Sequence, residues 1–188
     1  SRGLDYQFAL NICEILHSSL FLNTDNGEVW FKDFVRDKKL MHKIFEYFLK
    51  NLINHKLKIK TNGEQIKWDT IDNLKDLPNM YTDISVTKNN TKYIIDAKYY
   101  EEAMASQYEN SIDKFKSANL YQIYSYINNY KPKQNEKNIK GILVYPTNGY
   151  SFNKTFNVQG KTIKLITINL AKDWRKVEED VIGIFEHV

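Results

Sequence analysis

Apolar residues recur along the chain at two periods, and each change of period marks an element. Leu4, Phe8, Ile12, Ile15, Leu16 and Leu20 fall at helical spacing and predict a helix over about 4–22. Asn23-Thr24-Asp25-Asn26-Gly27 then has the composition of a turn. Leu40, Met41, Ile44, Phe45, Phe48, Leu49 and Leu52 line one face of a second helix over about 37–54, with Asp37 in position to cap it. Short strands are expected near 56–60 and 65–69, and a loop over 70–79. The period then drops to two. Over 80–87, Met80, Thr82, Ile84 and Val86 share one face and Tyr81, Asp83 and Ser85 the other. Over 92–99, Tyr93, Ile95, Ala97 and Tyr99 oppose Ile94, Asp96 and Lys98. A third helix is expected over 111–130, followed by a near-continuous apolar strand from Ile139 to Tyr145 that Pro146 stops. A strand over 162–169 and an amphipathic helix over 172–187 close the chain.

This order predicts an α/β fold, a central mixed sheet flanked by helices. The 188 residues fit a single domain, 1–188, in which 1–30 form a helical lead-in. The chain starts at Ser1-Arg2-Gly3 and enters a helix at once, so a C-terminal fragment of a longer protein is expected.

Composition narrows the class. Hydrophobic residues are 42% and charged residues 27%, the balance of a soluble globular chain. The single cysteine, Cys13, excludes an internal disulfide and suits a reducing cytoplasm. No apolar run approaches the roughly 20 residues of a membrane span. The net charge of +4 is weak evidence of a polyanionic partner. Its distribution says more: Lys32, Arg36, Lys38, Lys39, Lys43, Lys50, Lys56, Lys58 and Lys60 crowd one stretch, and Lys131, Lys133, Lys137 and Lys140 another. These are either a lysine-rich soluble surface or phosphate contacts. His17, His42, His55 and His187 are scattered without ligand spacing and read as surface residues, and Trp174 is expected to pack the last helix onto the core.

The candidate chemistry lies in the hairpin. Asn89-Asn90 suits a two-residue turn, because Asn tolerates positive φ. That turn sets Lys88 opposite Thr91 and, counting back along both strands, Asp83 opposite Asp96. Facing residues in a sheet have Cβ atoms about 4.5–5.5 Å apart, where two like charges repel. A divalent cation removes the conflict, and oxygen ligands suit Mg2+, for which Mn2+ can substitute. Lys98 shares the face of Asp96, and the Ala97 carbonyl between them is a further ligand candidate. Carboxylate-held metal beside a lysine is what phosphodiester cleavage needs: an activated water, and positive charge against the leaving oxygen. A D-x-K triplet on two charged surface strands would look the same, so the pairing register matters more than the triplet.

These residues resemble a known family. Met80-Tyr81-Thr82-Asp83-Ile84, then Ile94-Ile95-Asp96-Ala97-Lys98-Tyr99-Tyr100, then Ala118-Asn119-Leu120-Tyr121-Gln122-Ile123-Tyr124-Ser125-Tyr126, are similar to the nuclease part of the McrC family, the cleaving subunits of modified-cytosine restriction systems. The resemblance covers 30–170 and is best at 80–126. It implies a restriction-endonuclease-like PD-(D/E)xK core, DNA cleavage with Mg2+, and a GTP-hydrolysing AAA+ partner of McrB type engaged through a region outside this chain. Thr82 replaces the proline expected before the first acid, and the middle acid is Asp96 rather than glutamate. Such nucleases often take another carboxylate from the preceding helix. Glu46, about 130° from the centre of that helix's apolar face, is the candidate; the alternative is an exposed helical glutamate. Gln122 and Tyr126, at i and i+4, resemble the Q-x-x-x-Y motif that borders the active site and DNA in RecB-like nucleases; the alternative is core packing by Tyr121, Tyr124 and Tyr126. Double-strand cutting would require two such sites, hence a dimer, or two events. The competing readings are a RecB-like exonuclease or repair nuclease, and a catalytically silent DNA-binding or assembly module.

Overall fold

A computed structural model describes residues 38–71, 74–99, 104–105, 114–147 and 151–185. The expected helix over 4–22, the cap Asp37 and Tyr100 lie outside the described residues.

Helix α1 (Lys38–Leu57) buries Phe45, Phe48, Leu49, Leu52 and Ile53, the apolar stripe its 3.6-residue period lays along one side. It runs three residues past the expected end, so no strand forms at 56–60. Lys58 takes φ +53, the left-handed turn that commonly ends a helix. The expected strand at 65–69 shrinks to β1 (Gln65–Ile66), which pairs antiparallel with β2 (Met80–Tyr81) outside the main sheet.

The main sheet has five strands in the order β3-β4-β7-β9-β8: β3 (Ile84–Lys88), β4 (Thr91–Ala97), β7 (Asn138–Pro146), β9 (Lys161–Ile168) and β8 (Asn153–Val158). Here β4, β7 and β9 run parallel, and β3 and β8 close the edges antiparallel. The mixed sheet expected from the sequence is therefore present. Its three central strands are covered on both faces, which explains the unbroken apolar run of β7. The Asn89-Asn90 turn has φ +50 and +59, the conformation a two-residue hairpin demands, and Lys88 pairs with Thr91.

Two apolar layers hold the helices. On one face α1 and α3 (Trp174–Ile182) meet Val86, Tyr93, Ile95, Ala97, Ile142, Val144, Ile166 and Ile168. Trp174 packs edge-on against Phe48 with centroids 5.8 Å apart, as expected of it. On the other, α2 (Ser117–Asn129) sets Ile123, Tyr126 and Ile127 against Ile94, Leu143, Tyr145, Ile163 and Leu165. The helix lies close here because β7 offers Gly141: a Cβ at that position would stand 2.7 Å from Ile123 Cγ1 and 3.1 Å from Ile127 Cγ2.

Several boundaries differ from expectation. The helix expected from 111 starts at Ser117, because β6 (Lys114–Phe115) pairs with β5 (Met104–Ala105) and Phe115 stacks edge-on against Phe152. β8 was not expected; all six of its residues are exposed, so it carries no apolar alternation. The last helix stops at Ile182 and continues as a 3-10 turn over Gly183–Phe185. Among the described residues no helix is long and apolar enough to cross a membrane.

Gly141→Val should cost about 1–3 kcal/mol, the range for overfilling a packed layer. Urea unfolding measures it; unchanged stability would show that α2 is not held against β7 here.

Candidate active site

Three elements bring the candidate residues together at the C-terminal end of β4. Asp96 ends its strand next to last, with Ala97 after it and Lys98 just beyond, where the Lys98 N–H still donates to Val144 O at 2.8 Å. Asp83 does not sit in the ladder. The expected strand 80–87 is interrupted: Thr82 and Asp83 form a bend between β2 and β3, and regular pairing begins at Ile84 with Ile95. The register is nonetheless the one predicted from the turn. The bend swings Asp83 so that its Oδ2 accepts the Ala97 N–H at 2.8 Å. The acids are neighbours through this bend rather than a facing pair of strand residues.

Lys98 reaches back over the same end. Its Nζ lies 2.6 Å from Asp96 Oδ2 and donates to Gln122 Oε1 at 2.8 Å. Gln122 Nε2 in turn donates to the Tyr126 hydroxyl at 2.8 Å. The i, i+4 spacing thus builds a polar chain from α2 to the lysine. Tyr126 is also buried in the α2 layer, as the core-packing reading expects of it, whereas Tyr121 is 71% exposed.

From the opposite layer α1 contributes Glu46, half-buried rather than exposed, and with it His42 one turn earlier. One ligand atom each from His42, Glu46 and Asp83 lie within 4.8 Å of one another. The reading of His42 as an ordinary surface residue is therefore corrected. The missed signal was its i, i+4 relation to Glu46, which puts both on one edge of α1.

Burial dominates the electrostatics. It raises Asp83 and Asp96 from an ordinary value near 3.8 to about 6. At Asp83 the Ala97 N–H opposes the rise, Glu46 adds to it and Lys98 opposes it; at Asp96 the neighbouring Asp83 adds to it, and Lys98 and His42 oppose it. Burial likewise raises Glu46, and it lowers His42 with help from Lys98. A cluster of buried and half-buried carboxylates raised above their usual range, beside an imidazole whose protonation is disfavoured, is a donor set that a divalent cation fits. The oxygens suit Mg2+, and the imidazole nitrogen moves the set towards Mn2+.

The lysine-rich stretches are partly structural. Lys56 pairs with Glu178 at 2.7 Å, Lys131 with Asp69 at 2.8 Å and Lys133 with Glu64 at 3.8 Å. Lys32 and Arg36 lie outside the described residues.

Comparison with known proteins shows the family to which this site belongs. The family described as McrBC 5-methylcytosine restriction system component matches residues 4–146. The type IV methyl-directed restriction enzyme EcoKMcrBC of Escherichia coli K12 is 30% identical over 186 residues, which cover 96% of this chain and 53% of the relative. The chain thus spans about half the length of that relative.

The electrostatics fix a sign. Asp83 is raised above its unfolded value, so well below pH 3.8 it is neutral in both states and costs nothing, and near pH 4 the cost is still small. As pH rises towards 6 only the unfolded chain ionises freely, and stability falls. Asp83→Asn should therefore raise the metal-free melting temperature by about 3–6 °C at pH 7.5, with little gain near pH 4. Asp96→Asn should lower it, because Lys98 would keep a buried charge without its carboxylate. Thermal melts in chelator at both pH values decide this; an Asp83→Asn variant that melts lower at pH 7.5 contradicts the assignment.

Proposed function

The chain belongs to the McrBC family of 5-methylcytosine restriction system components, and from that membership and the site's geometry we propose that it is a metal-dependent DNA endonuclease domain. It hydrolyses phosphodiester bonds as the cleaving subunit of a modified-cytosine restriction complex. The observation that carries this reading is the convergence of Asp83, Asp96, Lys98, Glu46 and His42 at one end of β4.

His42, Glu46 and Asp83 would hold the cation, with Asp96 and the Ala97 carbonyl as further ligands. Mg2+ is the proposed ion, with Mn2+ able to substitute; bound there it supplies Lewis-acid charge and lowers the pKa of water. The chain does the rest. Lys98, fixed between Asp96 and Gln122, directs its ammonium at the phosphate and neutralises the charge that grows on its oxygens. Lys98 also orients the attacking water, whose proton passes to bulk solvent. The water oxygen bonds to phosphorus, one ester P–O bond breaks, and the departing oxygen takes its proton from solvent. Gln122, backed by Tyr126, holds Lys98 in line and borders the DNA.

DNA is the proposed substrate, and a GTP-hydrolysing AAA+ partner of McrB type supplies recognition and translocation through contacts outside these residues. Double-strand cutting then takes two such domains or two successive events. Ion-paired Lys56, Lys131 and Lys133 leave this chain a modest phosphate-binding surface. Its own DNA affinity should be weak, indifferent to sequence and reduced by salt.

In the reconstituted complex with GTP, methylated closed-circular plasmid should be cut, since an endonuclease needs no free end. Asp83→Ala, Asp96→Ala and Lys98→Ala should each lower cleavage by about a hundredfold or more at unchanged circular dichroism. Glu46→Ala and His42→Ala should raise the metal concentration needed for half-maximal cutting, the latter more strongly for Mn2+ than for Mg2+. Cleavage of linear DNA alone would replace the endonuclease with an exonuclease. Wild-type cutting by any of the first three variants would remove that residue from the chemistry.

A further inference from the structure

Asp83 owes its place to a bend, and the bend is held from outside the main sheet. Thr82, 4% exposed, donates its N–H to Glu64 O at 3.0 Å, and its hydroxyl accepts the Glu64 N–H at 2.9 Å. The same hydroxyl lies 3.1 Å from Ser85 Oγ, and the Ser85 N–H donates to Asn62 O at 2.9 Å. The segment 62–64 thus bonds the chain on both sides of Asp83. It approaches closely enough only because residue 63 is glycine: a Cβ there would stand 2.7 Å from Thr82 O and 3.5 Å from Asp83 O.

The clamp is tied to the strand that carries the other acid. Glu64 Oε2 meets Lys92 Nζ at 2.5 Å, and Lys92 is a buried residue of β4, four positions before Asp96. The Lys92 ammonium also lies 5.0 Å from the centre of the Tyr130 ring and 3.9 Å from Glu136. Glu136 is fixed by Thr87 Oγ1 at 2.7 Å and by the Tyr130 hydroxyl at 2.7 Å. One end of the clamp therefore grips the Asp83 bend, and the other is locked to β4 by a buried ion pair that cannot be broken cheaply.

We propose that Asn62–Glu64 and Thr82 form a positioning clamp that sets the Asp83 carboxylate against the Ala97 N–H and the α1 ligands, with the Thr82 hydroxyl as its working group. Thr82 touches neither cation nor DNA; it acts through Asp83. Its value to the enzyme rests on the reading of Asp83 as a metal ligand, whereas its effect on the bend does not.

The test uses the full-length protein and three variants: Thr82→Val, which keeps the shape and loses the hydroxyl; Thr82→Ser, which keeps the hydroxyl; and Gly63→Ala, which pushes the clamp away. Amide exchange of Ala97 reports the Asp83 contact directly, and Ile94 and Ile95 on the same strand report the fold. Thr82→Val should speed Ala97 exchange about tenfold with Ile94 and Ile95 unchanged, the factor for losing one buried hydrogen bond. Gly63→Ala should do the same, and serves alone if Thr82→Val does not fold. Thr82→Ser should stay near wild type, a rescue that a merely space-filling threonine would not give. The Kd for Mn2+ should rise by a similar factor in the two disruptive variants. Wild-type Ala97 protection in Thr82→Val or Gly63→Ala overturns the clamp. Lost protection with unchanged Mn2+ affinity upholds the clamp and removes Asp83 from the metal site instead.

Discussion

Asp96 and Lys98 are both buried, and their 2.6 Å ion pair is the contact around which the site is built. Taking either charge out of water alone would cost several kcal/mol, so each requires the other and further polar partners besides. Gln122 completes the shell of the lysine, and its amide is oriented by Tyr126. Asp83 is brought close to this pair although its negative charge adds to the burden on Asp96. A scaffold selected for stability alone would not gather acids this way. A positive charge placed among these carboxylates would relieve that tension, which is what supports the proposal of a cation there.

The layers on either side determine what can reach that pair. α1 lies on one face of the sheet and presents His42 and Glu46 beside Asp83. α2 lies on the other and presents Gln122 to Lys98. The two sides meet at the end of β4, where Lys98 bonds Gln122 of α2 and Asp83 lies beside His42 and Glu46 of α1. The close approach at Gly141 and the edge contact of Phe48 with Trp174 are therefore parts of the site's geometry, although none of these residues touches it. Small shifts in helix seating would change how His42, Glu46 and Gln122 meet Asp83 and Lys98.

How much of this was legible in the sequence depends on the range of the interactions involved. The hairpin register could be counted, since two asparagines at positive φ leave one pairing, and Ile84 does pair with Ile95. The two faces of β4 and the Gln122–Tyr126 spacing were equally local. The interruption at Thr82–Asp83 was not, because its cause is a set of hydrogen bonds from residues about twenty positions upstream. His42 has no ligand spacing to the other histidines; its place at the site comes from its i, i+4 relation to Glu46 on α1. β8 had no pattern to read: its residues are exposed, and it exists because Gln159-Gly160, at φ +50 and +75, turns it back against β9. The lead-in helix over 4–22 lies outside the described residues.

Position 82 shows how one constraint admits two chemical solutions. The family pattern expects proline before the first acid, and proline would fix φ near −65° by its ring alone. It would also forfeit the N–H that Thr82 donates to Glu64 O, and it has no hydroxyl to accept the Glu64 N–H in return. This chain therefore holds the bend with tertiary contacts rather than with a ring. Such contacts require a partner segment without a side chain at its nearest point, which is Gly63, and an anchor for that segment, which is the buried pair of Glu64 with Lys92. In this chain Thr82, Gly63, Glu64 and Lys92 together do what the ring of a proline would do alone, and position 82 is intelligible only with the other three.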